Sequence, residues 1–201
     1  MMWLLSDMKW HNRAKPFMIG TRSNPHIIRI LWRANPKHLF FEDAVFLSER
    51  MLDDKAVSIR LMQSDDLDTV AALEQELQKS PWSRQAFANE LDKSFSEAFV
   101  VICDDKMIAY ATTWLLIDEM HINTLAVIPE CRRMGIATWF LNAVLDRARA
   151  TGICTALLEV RKCNRPAVRL YHQLGFTIVG ERKAYYSDPI DDALLMTLHL
   201  K

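Results

Sequence analysis

The sequence lacks a net charge. Its 201 residues contain 25 Lys and Arg against 25 Asp and Glu, so no overall positive field points to nucleic acid as a partner. No apolar run approaches the roughly 20 residues that span a bilayer. The apolar start at 1–5 is too short for the core of a signal peptide, which takes about 7–15 residues. We therefore expect a soluble, cytoplasmic protein without membrane contact or direct nucleic-acid binding.

The sequence also has few cysteines, and their spacing does not match a known redox or metal-binding motif. The four cysteines match neither CxxC redox pairs nor zinc-ligand sets. We interpret Cys103, Cys131, Cys154 and Cys163 as reduced thiols in a cytosolic protein, because disulfides are rare there. No metal site is predicted.

Residues 1–56 differ from the rest of the chain. They contain Pro16, Pro25 and Pro36, an excess of basic residues and little sustained periodicity, and segments of this kind usually lack a core. We predict an N-terminal extension of unknown structure at 1–56 and one domain at 57–201. Three explanations of the extension stay open: an appendage that contacts an acidic partner, a poorly ordered appendage, or sequence upstream of a start at Met51.

The remainder shows regular periodicity. Alternating and continuous apolar runs predict strands at 57–62, 98–103, 106–117, 120–128, 153–160, 176–181 and 193–200. Helical spacing predicts helices after the caps Ser64 and Ser83, at 139–150, and between Asn164 and Gly175. This order predicts an α/β fold with a mixed, mostly antiparallel central sheet flanked by helices.

A strand, a glycine-containing turn and a helix follow one another in the middle of the sequence. The strand ends at 125–129, and the turn contains Gly135. Such a connection directs backbone N–H groups outward at the positive end of a helix dipole, which suits a pyrophosphate. The predicted anion site comprises Leu125, Ala126, Val127, Arg132, Arg133, Met134, Gly135, Ile136, Ala137 and Thr138. The alternative is a plain connection with solvated arginines.

The turn at 132–137 resembles the Q/R-x-x-G-x-G/A acetyl-CoA signature of the GNAT N-acetyltransferase superfamily. Further along, Leu158-Glu159-Val160-Arg161 with Asn164, and then Leu170-Tyr171 with Leu174-Gly175-Phe176, are similar to the second half of that family. The resemblance extends over roughly 57–200. It implies the GNAT fold and acetyl-CoA as cosubstrate, without a metal.

Two further motifs narrow the resemblance. Pro81-Trp82-Ser83 before the second helix and the late Tyr185-Tyr186 resemble those GNAT enzymes that acetylate a bacterial ribosomal protein. The resemblance therefore implies a protein N-terminus as the substrate, namely the N-terminal alanine of small-subunit ribosomal protein eighteen.

Glu159 is the candidate general base. A free α-amine has a pKa of about 7.7–8.0, so near neutral pH most of it is protonated and a base must remove the proton. Apolar neighbours of Glu159 in the strand would bury its carboxyl group in part and raise its pKa. The resemblance also implies this role. The alternative is that Glu159 only pairs with Arg161 or another cation.

Tyr171 is the candidate general acid for the departing CoA thiolate, a role that the resemblance implies. It lies on the apolar side of the helix after Asn164, where a phenol can turn its hydroxyl inward. The alternative is a core tyrosine. Asn164 caps the helix, and it is also a candidate contact of the cofactor. We expect Glu159 and Tyr171 on the same side of the sheet.

Backbone N–H groups along 125–127 are the predicted groups that polarise the thioester carbonyl, provided that this strand diverges from its neighbour as the resemblance implies.

For the acceptor, the aromatic residues Trp82, Tyr185 and Tyr186 are predicted in loops that line the peptide groove. Asp118 and Glu119 could bind the ammonium group. The alternatives are structural anchoring for Trp82 and a solvated turn for the two acids.

Two other functions stay open. The same fold could acetylate a small amine or a lysine side chain. A non-enzymatic module that senses acyl-CoA or docks on the ribosome would bind CoA without turnover.

Overall fold

The computed structural model of the chain describes residues 46–52 and 54–200. The strands are β1 (Phe46–Leu52), β2 (Lys55–Leu61), β3 (Ser96–Cys103), β4 (Lys106–Leu116), β5 (Glu119–Val127), β6 (Thr155–Arg161), β7 (Thr177–Ser187) and β8 (Ile190–His199). The helices are α1 (Leu67–Leu77), α2 (Arg84–Asp92), α3 (Ile136–Ala150) and α4 (Arg165–Gln173).

The strands form a single sheet. Their order in this eight-stranded sheet is β1-β2-β3-β4-β5-β6-β8-β7. Among the strands of the described residues, only β5 and β6 are parallel, and the other neighbouring pairs are antiparallel. The predicted α/β class with a mixed, mostly antiparallel sheet is therefore confirmed.

The two faces of the sheet carry separate cores. On one face, α3 and α4 pack against the sheet through residues such as Phe140, Leu145 and Tyr171. On the other face, α1 and α2 pack through Val70 and Phe87. Both faces are covered because strands such as β3 are apolar at consecutive positions rather than at alternate ones.

Strand β1 belongs to the segment for which the sequence predicted no element. Residues 46–52 pair with β2 in an antiparallel register that ends at Leu52↔Lys55, and Leu47 and Leu52 pack against the core beneath α3. Met51 lies within this strand. Residues 1–45 of the predicted extension lie outside the described residues, and its three explanations stay predictions.

Two element boundaries differ from the predictions near the residues of interest. Helix α3 begins at Ile136 rather than at 139, so Ile136, Ala137 and Thr138 form its first turn. Strand β7 continues to Ser187 rather than ending at 181, so Tyr185 and Tyr186 lie in a strand and not in a loop. Among the described helices, none is both long and apolar enough to cross a bilayer.

Candidate active site

The parallel strands β5 and β6 separate part-way along their length. They are in register from Glu119↔Thr155 to Ile122↔Leu158 and no further. Beyond this point residues 124–127 of β5 pair with β4, and residues 159–161 of β6 pair with β8. A gap therefore opens between the C-terminal halves of β5 and β6. Main-chain groups on the β5 edge face this gap without partners in β6.

A bulge in β5 accounts for the separation. The register with β4 shifts between Thr112↔Thr124 and Thr113↔Ile122, which leaves Asn123 as the extra residue. A bulge bends the strand that carries it and increases its local twist, and Asn123 is the first residue beyond the paired section. Within the described part of the chain, Nδ2 of Asn123 and Oγ1 of Thr112 are buried without a hydrogen-bond partner.

The turn after β5 leads into the N-terminus of α3. Gly135 precedes the helix with φ of 75°, a left-handed conformation that costs a residue with a side chain about 1–2 kcal/mol. The first N–H groups of a helix have no acceptor within it. Arg132 Nε donates to the Val127 carbonyl at 2.9 Å. The arginine thus fastens the turn to the end of β5.

Positive charge collects at this turn, and its two arginines form no ion pair with any described residue, including the neighbouring Glu130. The first turn of α3 contains no acidic residue. The ion pairs formed within 46–52 and 54–200 do not involve Arg132 or Arg133. The helix dipole adds to the positive potential of the two guanidinium groups. An anion is the ligand that this end of the helix suits best.

Glu159 lies at the edge of the gap and forms an ion pair. Its Oε1 is 2.7 Å from Arg182 Nη1, with 30% of the glutamate side chain and 52% of the arginine side chain exposed. Pairs this exposed contribute only about 0–1 kcal/mol. The cation that pairs with Glu159 is therefore Arg182 of β7. Arg161 instead donates to the carbonyl groups of Asp188 and Pro189, at 2.9 Å in each case.

Tyr171 lies in α4 and is almost completely buried. Its side chain is 8% exposed, and its ring centroid is 5.8 Å from that of Phe176. Burial raises the pKa of the Tyr171 phenol to about 12. The phenol therefore keeps its proton at every physiological pH.

Asn164 caps α4 as predicted, because its side chain accepts a hydrogen bond from the Ala167 N–H at 3.3 Å.

Glu159 and Tyr171 approach the gap from opposite faces of the sheet, contrary to the expectation that they share a side. Leu158 and Val160 pack in the same core as Tyr171, and successive side chains of a strand alternate between faces. Glu159 therefore points the other way. The two groups can meet only through the opening between β5 and β6.

Tyr185 and Tyr186 of β7 lie near this opening. The register of β7 with β8 is interrupted between Arg182 and Tyr186. Interaction with Glu159 raises the pKa of the Tyr185 phenol. Burial raises the pKa of Tyr186, and the negative charge of Glu159 raises it further. The guanidinium carbon of Arg161 lies 4.1 Å from the Tyr186 ring centroid. This cation–π contact positions the Tyr186 ring beside Glu159.

The other predicted acceptor residues are distributed differently. Trp82 is anchored in the α1–α2 connection, where its main-chain N–H donates to Glu74 Oε1 at 3.2 Å and the centroid of its ring lies 5.5 Å from that of Phe87. Glu119 is the first residue of β5, four residues or about 13 Å from the bulge, and Asp118 precedes it in the turn. The structure does not bring these two acids to Glu159, and their role stays a prediction.

Arg182 was not among the predicted site residues. Its pairing with Glu159 depends on the registers of β6 with β8 and of β8 with β7. Such long-range pairing leaves no local signal in the sequence, because side-chain periodicity shows which face a residue takes and not which strand lies next to it.

Comparison with known proteins agrees with this geometry. Residues 66–176 match the family described as Acetyltransferase (GNAT) family. The chain is 32% identical over 143 residues to the [Ribosomal protein bS18]-alanine N-acetyltransferase of Escherichia coli K12, which covers 70% of this chain and 96% of that protein.

Solved structures show the same relationship. The crystal structure of the Escherichia coli ribosomal-protein-S18-alanine N-acetyltransferase matches with a TM-score of 0.68 and 31% identity, over 72% of this chain and 94% of that one. Arabidopsis thaliana NAA60 in complex with acetyl-CoA matches with a TM-score of 0.65 and 18% identity, over 72% and 98%. The second match shows the fold alone.

The chain belongs to the GNAT acetyltransferase family and is an N-acetyltransferase.

Proposed function

We propose that the protein transfers the acetyl group of acetyl-CoA to the N-terminal α-amine of a protein, and that this acceptor is the N-terminal alanine of ribosomal protein bS18. The gap between β5 and β6 below the N-terminus of α3 is the observation that carries the proposal. The similarity to the Escherichia coli enzyme named for this acceptor supports the choice of substrate. A cytoplasmic location fits a ribosomal acceptor.

The cofactor site follows from the turn and the β5 edge. Main-chain N–H groups at Gly135–Thr138 hold the diphosphate, and Arg132, Arg133 and the turn at Met134 surround it with positive charge. The pantetheine arm then lies along Leu125–Val127, where it takes the place of the missing β6 partner. Asn164 at the start of α4 is a further contact on the other side of the gap.

Glu159 acts as the general base. The acceptor arrives as an ammonium ion, and Glu159 takes one of its protons, directly or through a water molecule. The weak, exposed ion pair with Arg182 leaves the carboxylate free to exchange partners for the ammonium group. The neutral amine then attacks the thioester carbon.

The β5 edge and Tyr171 complete the reaction. As the amine bonds to the carbonyl carbon, negative charge builds on the oxygen, and unpaired N–H groups along Leu125–Val127 stabilise it. Collapse of the intermediate breaks the carbon–sulfur bond. The Tyr171 hydroxyl then donates a hydrogen bond to the departing sulfur, and the extra proton on the attacking nitrogen passes through water to that sulfur, which leaves as the CoA thiol.

The acceptor groove lies on the face of the sheet to which Glu159 points. Tyr185 and Tyr186 flank the carboxylate on β7, and Trp82 is fixed in the α1–α2 connection on that same face, where it packs with the core of α1 and α2. Aromatic residues held in place by such contacts suit the backbone and small side chains of an extended peptide.

Acetylation of a peptide tests this proposal. Purified protein is mixed with acetyl-CoA and a peptide that carries the N-terminal sequence of bS18, and mass spectrometry locates the modification. We expect one acetyl group on the α-amine. A matched peptide with a blocked N-terminus and an internal lysine should stay unmodified. Turnover of spermidine or the blocked peptide, but not of the free N-terminus, would assign the enzyme to small amines or lysine side chains instead.

The value of kcat/KM should rise with pH and then stay level. We expect kcat/KM to increase through the α-amine pKa of about 7.7–8.0. No fall should follow up to about pH 10, because Tyr171, with its pKa raised to about 12, remains protonated. Initial rates between roughly pH 6 and pH 10 measure this profile. A descending limb centred below about pH 10 that Tyr171→Phe abolishes would contradict the assignment.

Gly135→Val should weaken acetyl-CoA binding selectively. A β-branched residue is strained at φ of 75°, so the turn moves away from the conformation that presents its amides. We expect the KM for acetyl-CoA to rise about tenfold or more, while kcat at saturation changes less than threefold. Gly152→Val is the matched control, since Gly152 has φ of 89° at the other end of α3 with open space around it. Equal KM values in the two variants would show that the turn does not bind the diphosphate.

A further inference from the structure

Strand β1 is attached directly to the turn and the first residues of α3. Arg50 Nη2 donates to the Met134 carbonyl at 2.8 Å, and the Arg50 guanidinium carbon lies 5.2 Å from the Trp139 ring centroid. Trp139 Nε1 in turn donates to Ser48 Oγ at 3.2 Å. Two side chains of β1 thus hold both the turn and the first turn of the helix.

The position of Arg50 is electrostatically unfavourable without an anion. A cation near a helix N-terminus opposes the helix dipole, and α3 has no acidic residue in its first turn. The ion pairs among the described residues do not include Arg50. Its Nε is also buried without an acceptor there. Three guanidinium groups therefore share this end of the helix, contributed by Arg50, Arg132 and Arg133.

Arg50 is also close to the backbone that the cofactor approaches. A Cβ atom at Gly135 would lie 3.7 Å from Arg50 Nη1. The guanidinium group therefore lies beside the residue whose main chain is exposed at the start of α3. One of its nitrogens fixes the turn through Met134, and its charge adds to the field at the same place.

We propose that Arg50 is a positioning residue of the acetyl-CoA site, which holds the turn at 132–135 in the conformation that binds the diphosphate and adds positive charge beside it. The inference rests on the proposed function, since it assumes that this turn binds acetyl-CoA. Strand β1 lies outside the residues 66–176 that match the family. The cofactor site of this chain thus includes an element contributed by the segment before its family domain.

Affinity and kinetics of Arg50 variants test the inference in the full chain. Arg50→Met keeps much of the side-chain volume above Trp139 and removes the charge and the donors. Arg50→Lys keeps the charge and loses the planar fork. Arg149→Met is the matched control, because it removes a guanidinium at the opposite end of α3, where Arg149 Nη1 pairs with Asp146 Oδ1 at 2.6 Å. Calorimetry gives the Kd for CoA, and initial rates give kcat and the KM for acetyl-CoA.

We expect Arg50→Met to raise the Kd for CoA and the KM for acetyl-CoA about tenfold, with kcat at saturation unchanged. Arg50→Lys should raise both about threefold, and Arg149→Met less than twofold. If Arg50→Met does not fold, the Arg50→Lys value decides the question.

Three results would overturn the inference: a Kd within twofold of the parent for the folded Arg50 variants, equal weakening in Arg149→Met, or a fall in kcat without a change in Kd. Failure of the parent protein to bind CoA would instead remove the proposed function. The two failures are therefore distinguishable.

Discussion

Replacing Glu159 with Gln is expected to lower kcat by about 10²–10⁴-fold, the range for a lost acid–base group. The amide has nearly the shape of the carboxylate, but it cannot accept a proton from the acceptor ammonium group. The KM for acetyl-CoA should change little, because Glu159 lies on β6 at the edge of the gap and not in the turn that precedes α3. Steady-state rates with the bS18 peptide measure both constants.

Two further variants separate catalysis from the ion pair. Glu181→Gln is the matched control. The Glu181 side chain has the same 30% exposure as that of Glu159, and it forms ion pairs with Lys162, the residue after β6, and with Lys183. It should retain kcat within about threefold. Arg182→Met breaks the pair with Glu159 but leaves the carboxylate. If Glu159→Gln costs no more than Arg182→Met, the glutamate is only a partner of Arg182 and the proposed mechanism is wrong.

Replacing Tyr171 with Phe should lower kcat by about 10²-fold or more. The hydroxyl is the only group lost, so the ring still packs against Phe176 and the thermal midpoint should move by only a few degrees. A phenol with a pKa of about 12 gives up its proton reluctantly, since a thiol is more acidic at about 8.5. Its contribution is therefore a hydrogen bond that strengthens as the sulfur becomes negative.

The property that Tyr171→Phe loses shows whether the hydroxyl acts in catalysis or in packing. Affinity for CoA, measured by calorimetry, should stay within about threefold of the parent in Tyr171→Phe. A variant that keeps more than a third of the parent kcat would show that Tyr171 is a core residue. A variant that loses both stability and CoA affinity would show the same, because the hydroxyl would then hold the structure rather than the leaving group.

The fold could be predicted largely because its signals are local. Helical spacing and the caps Ser83 and Asn164 each depend on a few neighbouring residues, and the structure contains the corresponding elements. Strand β1 was missed because residues 46–52 show no clean alternation. Its formation depends on pairing with β2 and on contacts with α3, which periodicity does not report.

The candidate site likewise contains features that local sequence signals predict and features that depend on long-range contacts. Gly135 and its arginines could be found because turn chemistry and helix termini are local features. The partner Arg182 and the bulge at Asn123 depend on strand registers. The opposite faces of Glu159 and Tyr171 depend on which face of the sheet α4 covers. A bulge adds a single residue to one strand, so it changes the direction of a strand without a distinctive composition.

A crystal structure of the protein with acetyl-CoA tests the central claim most directly. We expect the diphosphate on the main-chain amides at the start of α3 and the pantetheine arm along residues 125–127. The thioester should then lie in the gap between β5 and β6, with Glu159 and Tyr171 on either side of it. A cofactor bound elsewhere, or β5 and β6 paired along their full length around it, would contradict the account.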